Sequence, residues 1–168
     1  LRGRALLPAA LYAVALVKPV CSEGAFLFTM SPARACRHIY SGNAFAESID
    51  IARYIKAHTT KNDTVAVLGS EPQIYFYSQR RAAVTYIYMY PLMEANPFAH
   101  RMQLQLIRQV ESARPKYVVF VGTRTSWCQT PDSDRTIYRW LPRYGDKHYR
   151  LVGLIEYLAE NWVACYWG

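Results

Sequence analysis

The chain reads as a three-layer α/β domain, a mostly parallel sheet flanked by helices, preceded by an N-terminal (partial) transmembrane helix. Three observations predict this. Helical and strand patterns alternate from Asn43 onward. Two short runs, residues 65–68 (VAVL) and 117–121 (YVVFV), are almost wholly apolar, as strands buried on both faces of a parallel sheet are. Near the start, Arg2 and Arg4 lead into an apolar run, residues 5–17, closed by Lys18-Pro19.

A helix of that run would cover about 20 Å at 1.5 Å per residue, against a hydrocarbon core of about 30 Å. The residues alone leave three readings open: a signal peptide with a charged leader, a buried helix of the domain, or the end of a membrane helix of a larger protein. Residues 20–39 show little periodicity. They read as a connector along a membrane surface (21–42), with Phe26, Leu27, Phe28 and Met30 either dipping into lipid or packing under the domain.

The α/β domain spans residues 43–168. Asn43 is placed to cap a helix with Glu47 in its first turn and Phe45, Ile49, Ala52 and Ile55 inward. Lys61-Asn62-Asp63 turns into the first strand, and Gln73–Ser78 forms a short helix. Residues 82–88 read as the second strand. Asn96-Pro97 starts a helix with Ala99, Met102, Leu106, Val110 and Ala113 inward, stopped by Arg114-Pro115. After the third strand, Ser126-Trp127 reads as a loop. Asp132 or Ser133 caps a last helix that buries Ile137, Trp140 and Leu141. Residues 149–155 and 162–166 pair as antiparallel strands joined through Ala159-Glu160-Asn161. The two apolar runs are expected side by side as central parallel strands.

Composition narrows the function classes. The 168 residues hold one ordinary domain, and 52% hydrophobic with 14% aromatic content excludes a disordered chain. The net charge of +8 comes from scattered residues, with Arg80-Arg81 the only adjacent basic pair. No nucleic-acid motif accompanies it, and proximity to anionic lipid headgroups accounts for it more simply. Cys21, Cys36, Cys128 and Cys165 lack zinc-ligand spacing and read as unpaired packed thiols, although a disulfide is open outside the cytoplasm. No cofactor motif is present: there is no GxGxxG, no Walker loop and no GxSxG.

The stretch with chemistry is residues 64–91, TVAVLGSEPQIYFYSQRRAAVTYIYMYP. Ligands of open α/β sheets favour the crevice at the carboxyl ends of the strands, where Gly69-Ser70-Glu71-Pro72 falls. The candidate ligand-binding residues are Glu71 for sugar hydroxyls, Tyr75 with Tyr77 for stacking on a sugar ring, and Arg80 or Arg81 for a phosphate. The competing structural reading pairs Glu71 with one of those arginines and packs the tyrosines over the sheet. Ser126-Trp127 would line the same crevice or contact a membrane domain. Asp132 and Asp134 are better explained as helix caps than as an acid–base pair.

VLGSEPQIYFYSQRR followed by YMYPLME resembles the soluble C-terminal region of bacterial membrane glycosyltransferases. The family is the superfamily of dolichyl-phosphate-mannose protein mannosyltransferases and aminoarabinose–lipid A transferases. Ile39-Tyr40-Ser41-Gly42-Asn43-Ala44-Phe45, the Tyr117 strand with its Pro115-Lys116 lead, Ser126-Trp127, residues 149–153 and Tyr166-Trp167-Gly168 fit the same pattern in order. The resemblance implies that residues 1–20 end the last transmembrane helix, with the rest facing the periplasm or cell exterior of a bacterial inner membrane. It implies transfer of a sugar from a polyprenyl-phosphate donor to an acceptor, catalysed in a membrane domain that some members assist with a divalent metal. No catalytic residue maps onto this chain. Its expected partners are membrane lipid, the transmembrane part of the same enzyme, and a lipid-linked sugar or acceptor, with no nucleic acid. The alternative is a free-standing secreted or membrane-anchored α/β binding domain without catalysis. A small soluble α/β enzyme is disfavoured by the lack of any nucleophile–base constellation. A reading frame upstream of Leu1 with many apolar spans would favour the transferase, and a start codon there the binding domain.

Overall fold

A computed structural model describes residues 3–159 and 162–168. The chain begins with helix α1, Gly3–Ser22, which contains the predicted apolar run. Its described side chains, from Leu7 to Ser22, are all exposed. No helix among the described residues is long and apolar enough to cross a membrane, so the expected transmembrane helix is not found. The apolar run of α1, residues 5–17, would cover only about 20 Å at 1.5 Å per residue.

The stretch expected as a connector is mostly helical: α2 is Gly24–Phe28 and α3 is Pro32–Ile39. Ser31 starts α3, its hydroxyl accepting from the Arg34 N–H with Pro32 at the first helical position. Phe26 and Met30 are half-buried, whereas Leu27 and Phe28 are exposed. Asn43 does not cap the following helix α4, Glu47–Ala57; its amide donates to the Tyr40 carbonyl instead. Helix α4 buries Ala52 and Ile55, but Ile49 faces solvent. Arg37 of α3 reaches Glu47 in the first turn of α4, Nε to Oε1 2.7 Å.

Strand β1, Thr64–Leu68, enters the core and is followed by α5, Gln73–Ser78, as the sequence indicates. The second strand shrinks to β2, Arg81–Ala82, and residues 83–89 run irregularly into α6, Tyr90–Met93. Helix α7, Ala99–Ala113, begins just past Asn96, whose side-chain Oδ1 accepts from the Phe98 N–H. It buries Ala99, Leu106 and Val110 as expected, adds Gln103 and Ile107, and leaves Ala113 exposed. Arg114 ends it in the left-handed region, φ 45°. Strand β3 is Tyr117–Phe120, and Ser126-Trp127 proves to be helical, in α8, Arg124–Trp127. In α9, Thr136–His148, the Thr136 N–H is met by Asp134, not by Asp132 or Ser133. Ile137 is buried there, with Trp140 and Leu141 half-buried.

The sheet order is β2-β1-β3, all parallel, with Val65 opposite Tyr117 and Leu68 opposite Phe120. The two apolar runs are therefore parallel neighbours, as expected, but only β1 is central. The β3 run lies at an edge, and Phe120 is 46% exposed. Alternate residues of β1 feed two cores. Val65 and Val67 pack with Ile55 of α4, Ile74 of α5 and Val121, while Ala66 and Leu68 pack with Leu106, Val110, Trp127 and Ile137. Side chains on both faces of one strand thus bind helices on both sides of the sheet.

Strands β4, Gly153–Ala159, and β5, Trp162–Trp167, form the expected antiparallel pair, but as a separate sheet. The turn predicted through Glu160 and Asn161 lies outside the described residues. Trp167 stacks on Tyr54 of α4 at 4.3 Å between ring centroids, which fastens this hairpin to the domain.

Candidate functional site

The predicted site residues separate along β1. Glu71 lies past its carboxyl end. Arg81 stands opposite Thr64 at its amino end, because α5 carries the chain back alongside the strand. Five residues at about 3.3 Å each make this a separation of some 13–17 Å along the strand. Neither Arg80 nor Arg81 is ion-paired with Glu71.

Arg80 holds backbone. Its Nε donates to Thr59 Oγ1 at 2.7 Å, and its two terminal nitrogens donate to the carbonyls of Lys56, Thr59, Ser78 and Gln79 at 2.8–3.1 Å. These carbonyls lie at the ends of α4 and α5, which lack helical partners and carry the negative end of the helix dipole. One guanidinium satisfies both. Arg81 is exposed on β2. Tyr77 is also exposed, its ring edge-on to that of Phe76.

Tyr75 is structural in position. Ala83 N–H donates to Val65 O, so that side of β1 faces β2, and the Val67 N–H points the same way where β2 has already ended. The Tyr75 hydroxyl accepts that N–H at 2.7 Å. Burial pushes the phenol up to about 12.

The carboxyl end is where polar groups converge. Glu71 is 1% exposed, and Ser126 Oγ donates to its Oε2 at 2.7 Å. The same hydroxyl accepts from the Ser70 N–H at 2.8 Å, and Ser70 Oγ accepts from the Met89 N–H at 2.9 Å. Burial raises the Glu71 carboxyl above its ordinary value, and the Ser126 hydrogen bond only partly opposes this. Gly69 permits the junction. A Cβ there would sit 2.6 Å from Ser126 Oγ and 2.8 Å from Val121 Cβ, and closer still to Glu71 Oε2.

Around this buried acid, side chains of α6 and α8 supply further polar groups. Tyr90 donates to the Thr125 carbonyl at 2.9 Å, and Thr125 Oγ1 donates to Gly42 O at 2.7 Å. The Tyr90 phenol is raised by burial first, then by Cys128 and by the Glu71 charge. Tyr88 stands beside it at 6.1 Å between ring centroids, exposed to solvent like Cys128. The arrangement holds a buried carboxyl, raised above its ordinary value, close to the phenol of Tyr90.

Of the four predicted site residues, the structure buries Glu71 past the carboxyl end of β1, uses Tyr75 and Arg80 to complete the fold, and leaves Arg81 on an edge. Sequence reasoning missed Tyr90 and undervalued Ser126. The signal for Ser126 was its position just past the third strand, the topological equivalent of Glu71 past the first. The four cysteines are unpaired, with Cys36 half-buried and the others exposed rather than packed. Among the described residues no group of three or more His, Cys, Asp or Glu side chains is placed to hold a metal ion. Compared with known proteins, the chain matches no family model, no curated protein and no solved structure.

Proposed function

We propose that the chain is the extracytoplasmic C-terminal part of a bacterial inner-membrane glycosyltransferase that uses a polyprenyl-phosphate sugar, with its α/β domain presenting the Glu71 crevice to a sugar-bearing ligand. The donor sugar, the acceptor and the membrane catalytic part belong to this proposal, as does a divalent metal in that part. In it α1 associates with lipid and does not by itself form a complete span.

One observation carries the reading: Leu7, Leu11, Tyr12, Val14, Leu16, Val17 and Val20 of α1 are all exposed, at 46–69%. Each such side chain would gain about 1.5–3 kcal/mol on leaving water, and the domain does not cover them. A helix with apolar residues around its whole circumference, between basic ends, fits a lipid boundary. The ordered series of motifs from Ile39 to Gly168 supports the family, and the buried carboxyl at the strand ends supports a polar ligand.

The test keeps the whole chain and changes α1 alone. Leu11→Asp with Val14→Asp should move the protein from the membrane fraction to the soluble one while leaving its melting curve unchanged. Equal solubility of both forms without detergent would reject the lipid association on which the reading rests.

A further inference from the structure

A second polar surface lies at the β2 edge of the sheet. Residues 82–85 and helix α7 enclose an open groove of about 850 Å³. From α7 it is lined by Arg101, Gln105, Arg108, Gln109 and Ser112, which recur at helical spacing on one face. None of the lining residues is acidic. Glu111, the one acid of α7, is turned onto α9, where it accepts from Trp140 Nε1 at 2.9 Å.

The groove is braced. Gln109 Oε1 accepts from the Thr85 N–H at 3.0 Å, and its Nε2 donates to Thr85 Oγ1 at 3.0 Å. Gln105 Oε1 accepts from the Tyr86 hydroxyl at 2.8 Å. These bonds fix the far wall against the helix without using either arginine. Arg101 lies over the Phe98 ring, 5.3 Å from its centroid, and Arg108 Nε donates to the Leu104 carbonyl of its own helix. No carboxylate of the described residues pairs with either guanidinium.

On the opposite wall, Arg81 and Ala83 turn their backbone groups toward β1, so those of Ala82 between them point outward, into the groove. Two arginines two helical turns apart, with the Gln105 amide between them and a backbone edge opposite, match an extended anion. A lone carboxylate would meet only one of them.

We propose that this groove binds a phosphate-bearing ligand, with Arg101 and Arg108 each engaging phosphate oxygens and Gln105 and Ser112 meeting adjoining hydroxyls. The site is independent of the Glu71 crevice, and either can fail without the other. The phosphate has two sources, a soluble diphosphate or an anionic lipid headgroup, and two arms separate them.

In the first arm, inorganic pyrophosphate is titrated calorimetrically into the 168-residue chain at constant ionic strength. In the second, the protein is mixed with vesicles of phosphatidylcholine with and without phosphatidylglycerol. Arg101→Gln and Arg108→Gln should each weaken binding about tenfold in whichever arm shows it, the loss of one charge-assisted contact. Arg139→Gln, an exposed arginine on α9, should change nothing. Ser112→Glu places a negative charge in the groove, so it should weaken binding too. Saturable pyrophosphate binding lost in the groove variants identifies a soluble ligand; vesicle binding lost in them identifies a headgroup. Absence of saturable binding in both arms overturns the proposal, as does an equal effect of Arg139→Gln.

Discussion

At the carboxyl end of β1 a carboxyl group is buried with one hydroxyl donating to it; at the amino end a guanidinium is bound to five neutral acceptors. Glu71 is buried and Arg80 half-buried, with opposite consequences. Arg80 finds there the partners that water would have supplied, and its charge matches the negative ends of two helices. Glu71 finds one donating hydroxyl and a raised pKa, so its ionised form is held at a cost. A group that completes its surroundings stabilises a fold. A group held against its preference points to work done on something else.

The largest effect should come from the amino end. Arg80→Ala leaves several carbonyls without their donor and should destabilise the domain by about 2–4 kcal/mol in denaturant melts. If it melts like the wild type, the contrast between the ends fails. Next is Gly69→Ala at the carboxyl end. The new methyl meets Ser126 and Glu71, and repacking them should cost about 1–3 kcal/mol.

Glu71→Gln should have a smaller effect of the opposite sign. Its carboxyl is raised above the ordinary value, so its contribution is fully present below the unfolded pKa and fades as pH rises through the folded one. The wild type should therefore lose stability on going from about pH 4 to about pH 8, and the glutamine variant should lose less. At neutral pH the variant should melt no lower than the wild type, since Gln can still accept from Ser126. A fall in melting temperature at neutral pH would show that the carboxylate is structural. The smallest change is Arg81→Ala on the exposed edge, expected within about 0.5 kcal/mol by thermal melting. A large loss there would mean that Arg81 shares the bracing role of Arg80.

The elements with strong local signals were legible. β1, α5 and α9 follow from apolar runs and turn residues, and the final hairpin from its strand pattern. What failed depends on neighbours. The run at Tyr117 is apolar enough for a central strand, but sequence does not say that nothing pairs beyond it, and Phe120 is left half in solvent. Residues 82–88 are rich in strand-forming types, yet pairing ends after Ala82 and the chain bends away to supply Val84 and Met89 to the core. The candidate site divided for a similar reason. Glu71 could be placed because it follows a strand directly. Arg80 and Arg81 could not, because one short helix between them and Glu71 reverses the direction of the chain.

The Tyr75 hydroxyl under Val67 has a wider consequence. A parallel sheet with a two-residue outer strand would ordinarily leave the inner strand's next N–H open, a template on which a foreign strand could begin to add. Here the sheet's hydrogen-bond lattice is closed on that side by a phenol from the same chain. The width of the sheet is thereby set by a side chain and not by the length of β2. A phenylalanine at position 75 would keep the packing and reopen the seam, leaving the fold in place but exposing its central strand to self-association.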